Sequence, residues 1–233
     1  MYKEKIKDIC NNTVKKIYKL LDINIDTVKD KFNFKCHMCG NCCKKETSFI
    51  IHPFEAFNIL NYLDNKEDIN NFRDLWIKQA LDIDSKLIET FGEEELNNYF
   101  IDMDKLFLFY KDNYKDTGCL FYKDDKCTIY EVRPLACRLY GFSVDMESKV
   151  FFCKEDCSLR LDYDKTIKVD EGIYNFLGFV DSRKVYLDFY NFFNNFILDS
   201  NNELMEAFRR DISWGFPMSL SKRLLWADKY FLL

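Results

Sequence analysis

The feature that most constrains this chain is a concentration of cysteines near residue 40. Four cysteines fall within residues 36–43, and they are Cys36, Cys39, Cys42 and Cys43. Two residues between successive thiolates allow a tight turn to bring both sulfurs onto one ion, and packing alone does not require this spacing. Five more cysteines follow at Cys119, Cys127, Cys137, Cys153 and Cys157. The pattern predicts a cysteine-ligated metal centre, with enough candidate ligands for two.

The cysteines could instead form disulfides, which require an oxidising compartment. The segment Met1–Leu21 carries charges at helical intervals and lacks the continuous apolar stretch of a secretory signal. Because the cytosol keeps thiols reduced, metal binding is favoured over disulfide formation. We therefore expect a cytoplasmic protein whose thiols bind metal.

Charge and hydropathy argue against two classes of partner. The net charge is −5 and basic residues are mixed with acidic ones, so no basic surface for nucleic acid is indicated. A membrane helix needs roughly 18 or more consecutive apolar residues. The richest segment, Tyr186–Leu198, is interrupted by one aspartate and three asparagines. We expect neither nucleic acid nor a membrane as a partner.

The composition favours helices, because glycine and proline are scarce at 7 and 3 of 233 residues. Hydrophobic residues make up 48% of the chain, which is enough for a sizeable core. We predict a mainly α protein with a small β-hairpin region and an irregular, metal-stapled cysteine core flanked by helices. The chain is interpreted as a single domain over residues 1–233. Its metal-binding core spans about 34–157, between an N-terminal helix and a C-terminal helical cap.

Hydrophobic periodicity predicts the individual elements. Helices are expected at Lys3–Leu21, Pro53–Leu63, Asp68–Phe91, Val185–Ile197, Glu203–Trp214 and Leu220–Phe231. Strands are expected at Lys105–Tyr110, at Val150–Cys153 and in a hairpin over Gly118–Tyr130. The hairpin turn is placed at Asp124 and Asp125, and Gly92 is the expected C-cap of the helix that ends at Phe91.

Two separated motifs resemble a known family. The first motif is Cys36-x2-Cys39-Gly40-x-Cys42-Cys43. The second follows Cys119 and runs Cys127-Thr128-Ile129-Tyr130-Glu131-x-Arg133-Pro134-x2-Cys137-Arg138. In this order they resemble the CxxCxxCC family, also called the YkgJ-type cysteine cluster family, which implies a zinc- or iron-chelating domain. Flagellin lysine N-methylase has a similar cysteine block, so the resemblance also implies methyl transfer as an activity.

The spacing leaves the identity of the metal open. Cys36, Cys39 and Cys42 have the spacing of three ligands around a four-iron cluster whose fourth ligand comes from far away, here Cys153 or Cys157. The same glycine-containing turn is also typical of zinc and rubredoxin-type knuckles. Because a second C-x2-C pair is absent, an iron–sulfur cluster of the 4Fe–4S type is favoured and zinc is the alternative. All nine cysteines from Cys36 onward are candidate ligands.

Two arginines of the second motif are candidate cofactor-binding residues. Arg133 and Arg138 flank Cys137, where they would offset thiolate charge or orient an anionic substrate. The alternative is that they pair with Glu131 or another acid and fix the loop. Pro134 is expected to hold Arg133 in an extended conformation.

Three further side chains that can bind metal are assigned other roles. Cys10 lies on the apolar face of the first helix and is interpreted as a small buried hydrophobe. His37 lies between two predicted ligands, a position that usually points the side chain outward, and His52 follows a short apolar segment. With two histidines in the chain, acid–base catalysis by histidine has little scope.

Two functions from different classes are consistent with these residues. In the first, the metal centre serves redox chemistry or the modification of a protein side chain, such as lysine methylation. In the second, zinc only staples irregular loops, and the surrounding helices bind a partner protein without catalysis. Storage or transfer of metal ions is a third interpretation. Neither a P-loop nor a Rossmann glycine pattern nor a nucleophile elbow is present.

Overall fold

The chain is mainly helical with a small antiparallel hairpin, which confirms the predicted fold class. The structure, a computed structural model, describes residues 2–31, 40, 43–44, 51, 53–94, 103–114, 118–138, 142–145, 150–153, 167–168 and 220–231. The predicted helices Val185–Ile197 and Glu203–Trp214 lie outside these ranges. None of the helices described is long and apolar enough to cross a membrane.

The chain divides into two compact units. The first contains Met1–Lys16, Cys36–Tyr140 and Met218–Leu233. The second contains Ile17–Lys35 and Gly141–Pro217. Most of the predicted cysteine core therefore belongs to the first unit, together with the helices that precede and follow it in the sequence.

The N-terminal helical segment is longer than the sequence predicts. Helix α1 spans Tyr2–Ile9 and passes through a π-helical turn, Cys10–Val14, into helix α2 at Lys15–Lys31. Cys10 and Val14 are each 1% exposed, so the interpretation of Cys10 as a buried residue is confirmed. The predicted helix ended at Leu21, where the apolar periodicity ends, and was therefore too short. The residues that follow include no glycine or proline to end the helix.

Helix α3, Pro53–Asn65, lies in the centre of the first unit. Every side chain from Phe54 to Asn61 is buried, including the polar residues Glu55 and Asn58. A helix that is buried all round needs neighbours on several sides. They include α1, where Lys3 and Lys7 each place Nζ 2.8 Å from the Asp64 carboxylate, and the C-terminal helix described below.

Helix α4, Ile69–Phe91, presents one regular apolar face to the core. Its buried residues recur at intervals of three and four: Ile69, Phe72, Trp76, Ala80, Ile83 and Leu87. The helix ends as predicted at Gly92, whose φ of 84° suits glycine and whose N–H donates to the Ile88 carbonyl at 2.9 Å. The sequence prediction for this helix is confirmed at both ends, because period and breaker agree.

The prediction of a strand at Lys105–Tyr110 is wrong. These residues belong to helix α5, Met103–Tyr114. The buried residues Leu106, Phe109, Tyr110 and Tyr114 stand at positions i, i+3, i+4 and i+8 of one helix face, and the apolar Leu108 between them is 54% exposed. Residues 106–110 are all apolar or aromatic, so the sequence shows no helical period there. The period appears only in the structure, where Leu108 is exposed while Leu106, Phe109 and Tyr110 are buried.

Helix α5 packs against α4 through aromatic and polar contacts. The rings of Phe91 and Phe109 lie 5.7 Å apart, and the Tyr114 hydroxyl donates to Asp82 at 3.0 Å. Lys86 lies 4.8 Å above the Tyr114 ring. Burial and the bond to the Asp82 carboxylate raise the pKa of Tyr114, so its hydroxyl stays protonated as a donor.

The segment with the second cysteine motif consists of very short elements. Strands β1, Tyr122–Lys123, and β2, Lys126–Cys127, form the predicted antiparallel hairpin. Asp124 and Asp125 occupy its turn with φ of 50° and 58°, the left-handed pair that closes a two-residue hairpin. A 3₁₀ turn and helix α6 complete the segment at Tyr130–Val132 and Leu135–Arg138.

The last helix of the chain returns to the first unit. Helix α6 is followed, after the second unit, by α7 at Leu220–Phe231, as predicted. It packs against α3 and α4, and its Asp228 accepts two hydrogen bonds from Arg73 at 2.9 and 3.0 Å. Lys222 and Asp84 form a second ion pair between α7 and α4.

The second unit contains a three-stranded antiparallel sheet. Strand β3 is Phe142–Asp145, β4 is Val150–Cys153, and β5 is Ile167–Lys168, with β4 in the centre. The prediction of a strand at Val150–Cys153 is confirmed. Cys153 pairs in register with Phe142 at the end of β4.

Candidate metal centre

The first cysteine motif turns at Gly40. The backbone N–H groups of Cys43 and Lys44 both donate to the Gly40 carbonyl at 2.8 Å. Gly40 has a φ of 73°, which a residue with a side chain adopts only at a cost. The glycine at this position therefore permits the tight turn on which the sequence prediction of a metal knuckle depends.

Gly40 is also required because an aromatic ring lies directly against it. A Cβ built on Gly40 would lie 2.4 Å from both Cε2 and the hydroxyl oxygen of Tyr122, far inside van der Waals contact. Tyr122 belongs to strand β1, where it pairs with Cys127. The hairpin of the second motif thus rests on the turn of the first.

A backbone hydrogen bond joins the two cysteine motifs directly. The N–H of Cys119 donates to the carbonyl of Cys43 at 2.7 Å, and the N–H of Tyr122 donates to the carbonyl of Cys119 at 3.0 Å. The prediction that the two blocks meet in space is confirmed for these residues. Chain segments far apart in the sequence therefore bring Cys43 and Cys119 together through their backbones in the first unit.

Polar contacts with Asp125 and Lys44 hold the Tyr122 side chain in place. Its hydroxyl donates to Asp125 at 2.9 Å, and Lys44 lies 5.5 Å from its ring centroid. Lys44 and Asp125 approach to 3.8 Å, but both side chains are more than half exposed. An exposed pair of this kind contributes little on its own. The close contact between the ring and Gly40 is therefore the main link.

Cys127 and Cys137 lie on either side of a fixed loop. Thr128 anchors the start of this loop, because its N–H and hydroxyl both donate to the Phe121 carbonyl at 2.9 and 3.0 Å. Cys137 lies in the single turn of α6. Both cysteines, like Cys43 and Cys119, are partly buried, and no disulfide joins any two of these four residues.

Arg138 fixes the backbone of the same loop. It is 4% exposed, its Nε donates to the Arg133 carbonyl at 2.9 Å, and its Nη2 donates to the Glu131 carbonyl at 2.6 Å. The sequence raised a bond between an arginine and Glu131 as one alternative. The contact is made, but with the main-chain oxygen of Glu131. Arg138 is therefore placed to hold Cys137 in position.

Arg133 has a different environment. Its guanidinium carbon lies 3.8 Å from the ring centroid of Tyr130, and its buried Nε has no hydrogen-bond partner. Its φ and ψ of −55° and 141° are extended, as the following Pro134 predicts. No carboxylate in the described part of the chain pairs with it. Of the two arginines, only Arg133 has side-chain donors without an acceptor among the described residues.

Several predicted site residues lie outside the described residues. These are Cys36, Cys39, Cys42 and Cys157, and the two histidines, which were not predicted as ligands, lie outside them as well. Cys153 is placed in β4 of the second unit. Within the ranges given above, no three Cys, His, Asp or Glu side chains gather as a metal site. The ligand set therefore stays a prediction, since four of its nine cysteines are not among those residues.

Cys10 contrasts with the cysteines of the motifs. Burial raises the pKa of the Cys10 thiol to about 12. Because a thiolate is the form that binds metal, a thiol held protonated in the core is a poor ligand. The environment of Cys10 supports its separation from the candidate ligands.

Sequence reasoning missed Tyr122 as a residue of the site. Its signal was present but weak, since it lies between Cys119 and Cys127 and directly before the hairpin turn. Its role depends on contact with Gly40, which is distant in the sequence. Tyr130 was likewise not predicted to support Arg133.

Comparison with known families identifies the region that contains these residues. Residues 35–158 match the model of the family CxxCxxCC, described as "Putative zinc- or iron-chelating domain". The match covers more than half of the chain and includes both cysteine motifs. Searches among curated proteins and among solved structures found no significant match.

Proposed function

Because the chain belongs to the CxxCxxCC family, with its zinc- or iron-chelating domain, we propose that it holds a cysteine-ligated iron–sulfur cluster or zinc ion. The iron–sulfur cluster is the favoured form and zinc is the alternative. The candidate ligands are Cys36, Cys39, Cys42, Cys43, Cys119, Cys127, Cys137, Cys153 and Cys157. Their thiolates are the donors that both zinc and iron–sulfur clusters use.

The observation that carries this proposal is the junction of the two motifs. The Cys119–Cys43 hydrogen bond and the Tyr122–Gly40 contact draw cysteines from both blocks into one region. Converging thiolates repel each other unless a cation lies between them. A bound metal removes this repulsion and would stabilise the junction.

The short elements of the cysteine segment support a stabilising role for the metal. Two strands of two residues, one 3₁₀ turn and a four-residue helix bury little apolar surface of their own. Structural zinc contributes roughly 10–16 kcal/mol of apparent folding energy in small finger peptides. This observation favours the second candidate function, a zinc-stapled module that binds a partner protein without catalysis.

The favoured function assigns chemistry to the centre as well. A bound iron–sulfur cluster would supply electron transfer, either for a redox step or for the modification of a protein side chain such as a lysine. The residues of this chain would contribute in other ways. Arg138 positions Cys137, Tyr122 fixes the turn of the first motif, and Arg133, whose guanidinium has no acceptor among the described residues, is the candidate substrate contact.

Metal and sulfide analysis of protein purified without oxygen tests the proposal. We expect a brown protein with about four iron and four sulfide per chain, the composition of a single cubane cluster. Tightly bound zinc without sulfide would instead select the non-catalytic module. Less than one metal ion for every ten chains, after both iron and zinc have been supplied during expression, would overturn both functions.

A further inference from the structure

Arg133 differs in its contacts from Arg73 and Arg138. Arg73 is held by the Asp228 carboxylate, and Arg138 is held by two main-chain carbonyls. For Arg133 the structure shows a stacking contact on Tyr130 and, among the described residues, no hydrogen bond from the guanidinium. A buried Nε–H without an acceptor is costly in a folded protein, so its retention calls for an explanation.

The position of Arg133 is also rigid. Pro134 restricts its backbone, and its carbonyl accepts the hydrogen bond from Arg138 Nε at 2.9 Å. Its guanidinium plane lies on the Tyr130 ring, which leaves the edges of the plane for hydrogen bonds. A guanidinium held in this way loses little freedom when it binds a ligand, because its orientation is already fixed.

We infer that Arg133, supported by Tyr130, binds the carboxylate or phosphate group of a small anionic ligand. A planar guanidinium recognises either group through two parallel hydrogen bonds, which the two Nη groups of Arg133 would donate. Tyr130 is 37% exposed, so the stacked pair is open to solvent on one side. The fixed loop that carries Arg133 lies between Cys127 and Cys137, both candidate ligands.

This anion site rests on the contacts of Arg133 itself. Its placement beside a metal centre rests on the proposed function. In that setting, the ligand would be the anionic substrate or effector of the centre. Arg138 cannot serve in the same way, because it is buried and donates to the backbone.

Chemical modification of arginine tests the inference on the full chain as purified with its metal. Phenylglyoxal reacts with accessible guanidinium groups, and peptide mass spectrometry reports the rate at each arginine. We expect Arg133 to react faster than Arg73 and Arg138. Phosphate or acetate should slow the reaction at Arg133 in a saturable manner, relative to chloride at equal ionic strength. Comparison of the phosphate and acetate concentrations that give half protection shows which of the two groups Arg133 prefers.

Variants of Tyr130 provide the matched controls. Tyr130→Leu should raise the half-protecting anion concentration about 2- to 5-fold, the equivalent of one exposed cation–π contact. Tyr130→Phe keeps the ring face and should protect like the unchanged protein. Equal protection in Tyr130→Leu would show that stacking does not prepare the site.

Two results separate this inference from the proposed function. Metal bound at full content, with no anion protection at Arg133 or with equal slowing at Arg73, overturns the anion site and leaves the metal centre standing. Saturable protection at Arg133 in a chain that holds no metal supports the anion site and contradicts the metal centre.

Discussion

Gly40 shows how one residue without a side chain can determine a site. It combines a positive φ with a ring at contact distance, whereas Gly92 has a similar φ of 84° and open space around it. Substitution of Gly92 therefore tests backbone strain alone, whereas substitution of Gly40 adds a steric clash with Tyr122. With a ψ of 152°, Gly92 lies in a region that glycine adopts almost exclusively and that costs other residues on the order of 1–3 kcal/mol.

We expect Gly40→Ala to lower both stability and metal content, and Gly92→Ala to lower stability alone. The loss for Gly92→Ala should be about 1–3 kcal/mol, and that for Gly40→Ala about 2–5 kcal/mol because the new methyl group clashes with Tyr122. Urea unfolding and metal analysis measure the two effects. If both variants keep the same metal content, the contact between Gly40 and Tyr122 does not shape the site.

Cys137 and Cys10 should respond differently to the same substitution. Cys137→Ser should reduce bound metal, since serine is a poor ligand for zinc or iron–sulfur clusters. Cys10→Ser should retain the metal and lose on the order of 1–3 kcal/mol, because it buries a hydroxyl in the core. Metal analysis of both purified variants separates them. Equal metal content would show that Cys137 is not a ligand.

At the scale of elements, Lys3 and Lys7 of α1 both form ion pairs with one carboxylate of α3, that of Asp64. Burial of Asp64 opposes its ionisation, but hydrogen bonds from Lys3 and Lys7 outweigh this effect and lower its pKa. A carboxyl group whose pKa is lower in the folded state stabilises the fold above the pKa it has when unfolded. That contribution is lost as pH falls through the folded pKa.

We therefore expect Asp64→Asn to lose about 1–2 kcal/mol at neutral pH, and its deficit to disappear in acid. Urea titrations between pH 7 and pH 2 measure this difference. Glu4→Gln is the control, because Glu4 is 77% exposed and lies 3.8 Å from the same Lys7. A deficit for Asp64→Asn that stays constant down to pH 2 would mean that its ion pairs are not the cause.

The elements also show what the sequence could predict. Helices α4 and α7 were predicted closely because their apolar residues follow one period over at least three turns. Helix α5 was not, because its apolar residues are consecutive. The π-helical turn at Cys10 breaks no local preference, so nothing in the sequence marked it.

The features of the candidate site also fall into those that a local sequence pattern predicts and those that it does not. Cysteine spacing predicted which residues are candidate ligands, and Asp124 and Asp125 marked the hairpin turn. The contact of Tyr122 with Gly40 and the bonds of Arg138 to two carbonyls join positions without a common local pattern. Contacts of this kind depend on the path of the whole chain, and a single sequence does not encode them in any short segment.

At the scale of the first unit, stability comes from two sources. The helices α3, α4 and α7 bury side chains such as Phe57, Leu60 and Trp76 completely. The cysteine segment has short elements, and the proposed metal would supply much of its order. The two parts should therefore respond differently when metal is removed.

Removal of metal by a chelator should loosen residues 118–138 and leave α4 intact. In hydrogen–deuterium exchange, we expect faster exchange in the hairpin and α6, and unchanged protection around Trp76. Restoring the metal should restore the slow exchange. Equal loss of protection in both regions would show that the metal centre and the helical core unfold as one unit.

The hydrogen bond between Cys119 and Cys43 also has a consequence for the timing of assembly. It closes a loop that contains α3, α4 and α5, and this closure has an entropic cost before any contact repays it. During synthesis, the first motif leaves the ribosome long before its partner exists. Until the second motif arrives, a metal ion can meet only part of its ligands. If the metal takes ligands from both motifs, as proposed, stable loading would follow the closure of this loop.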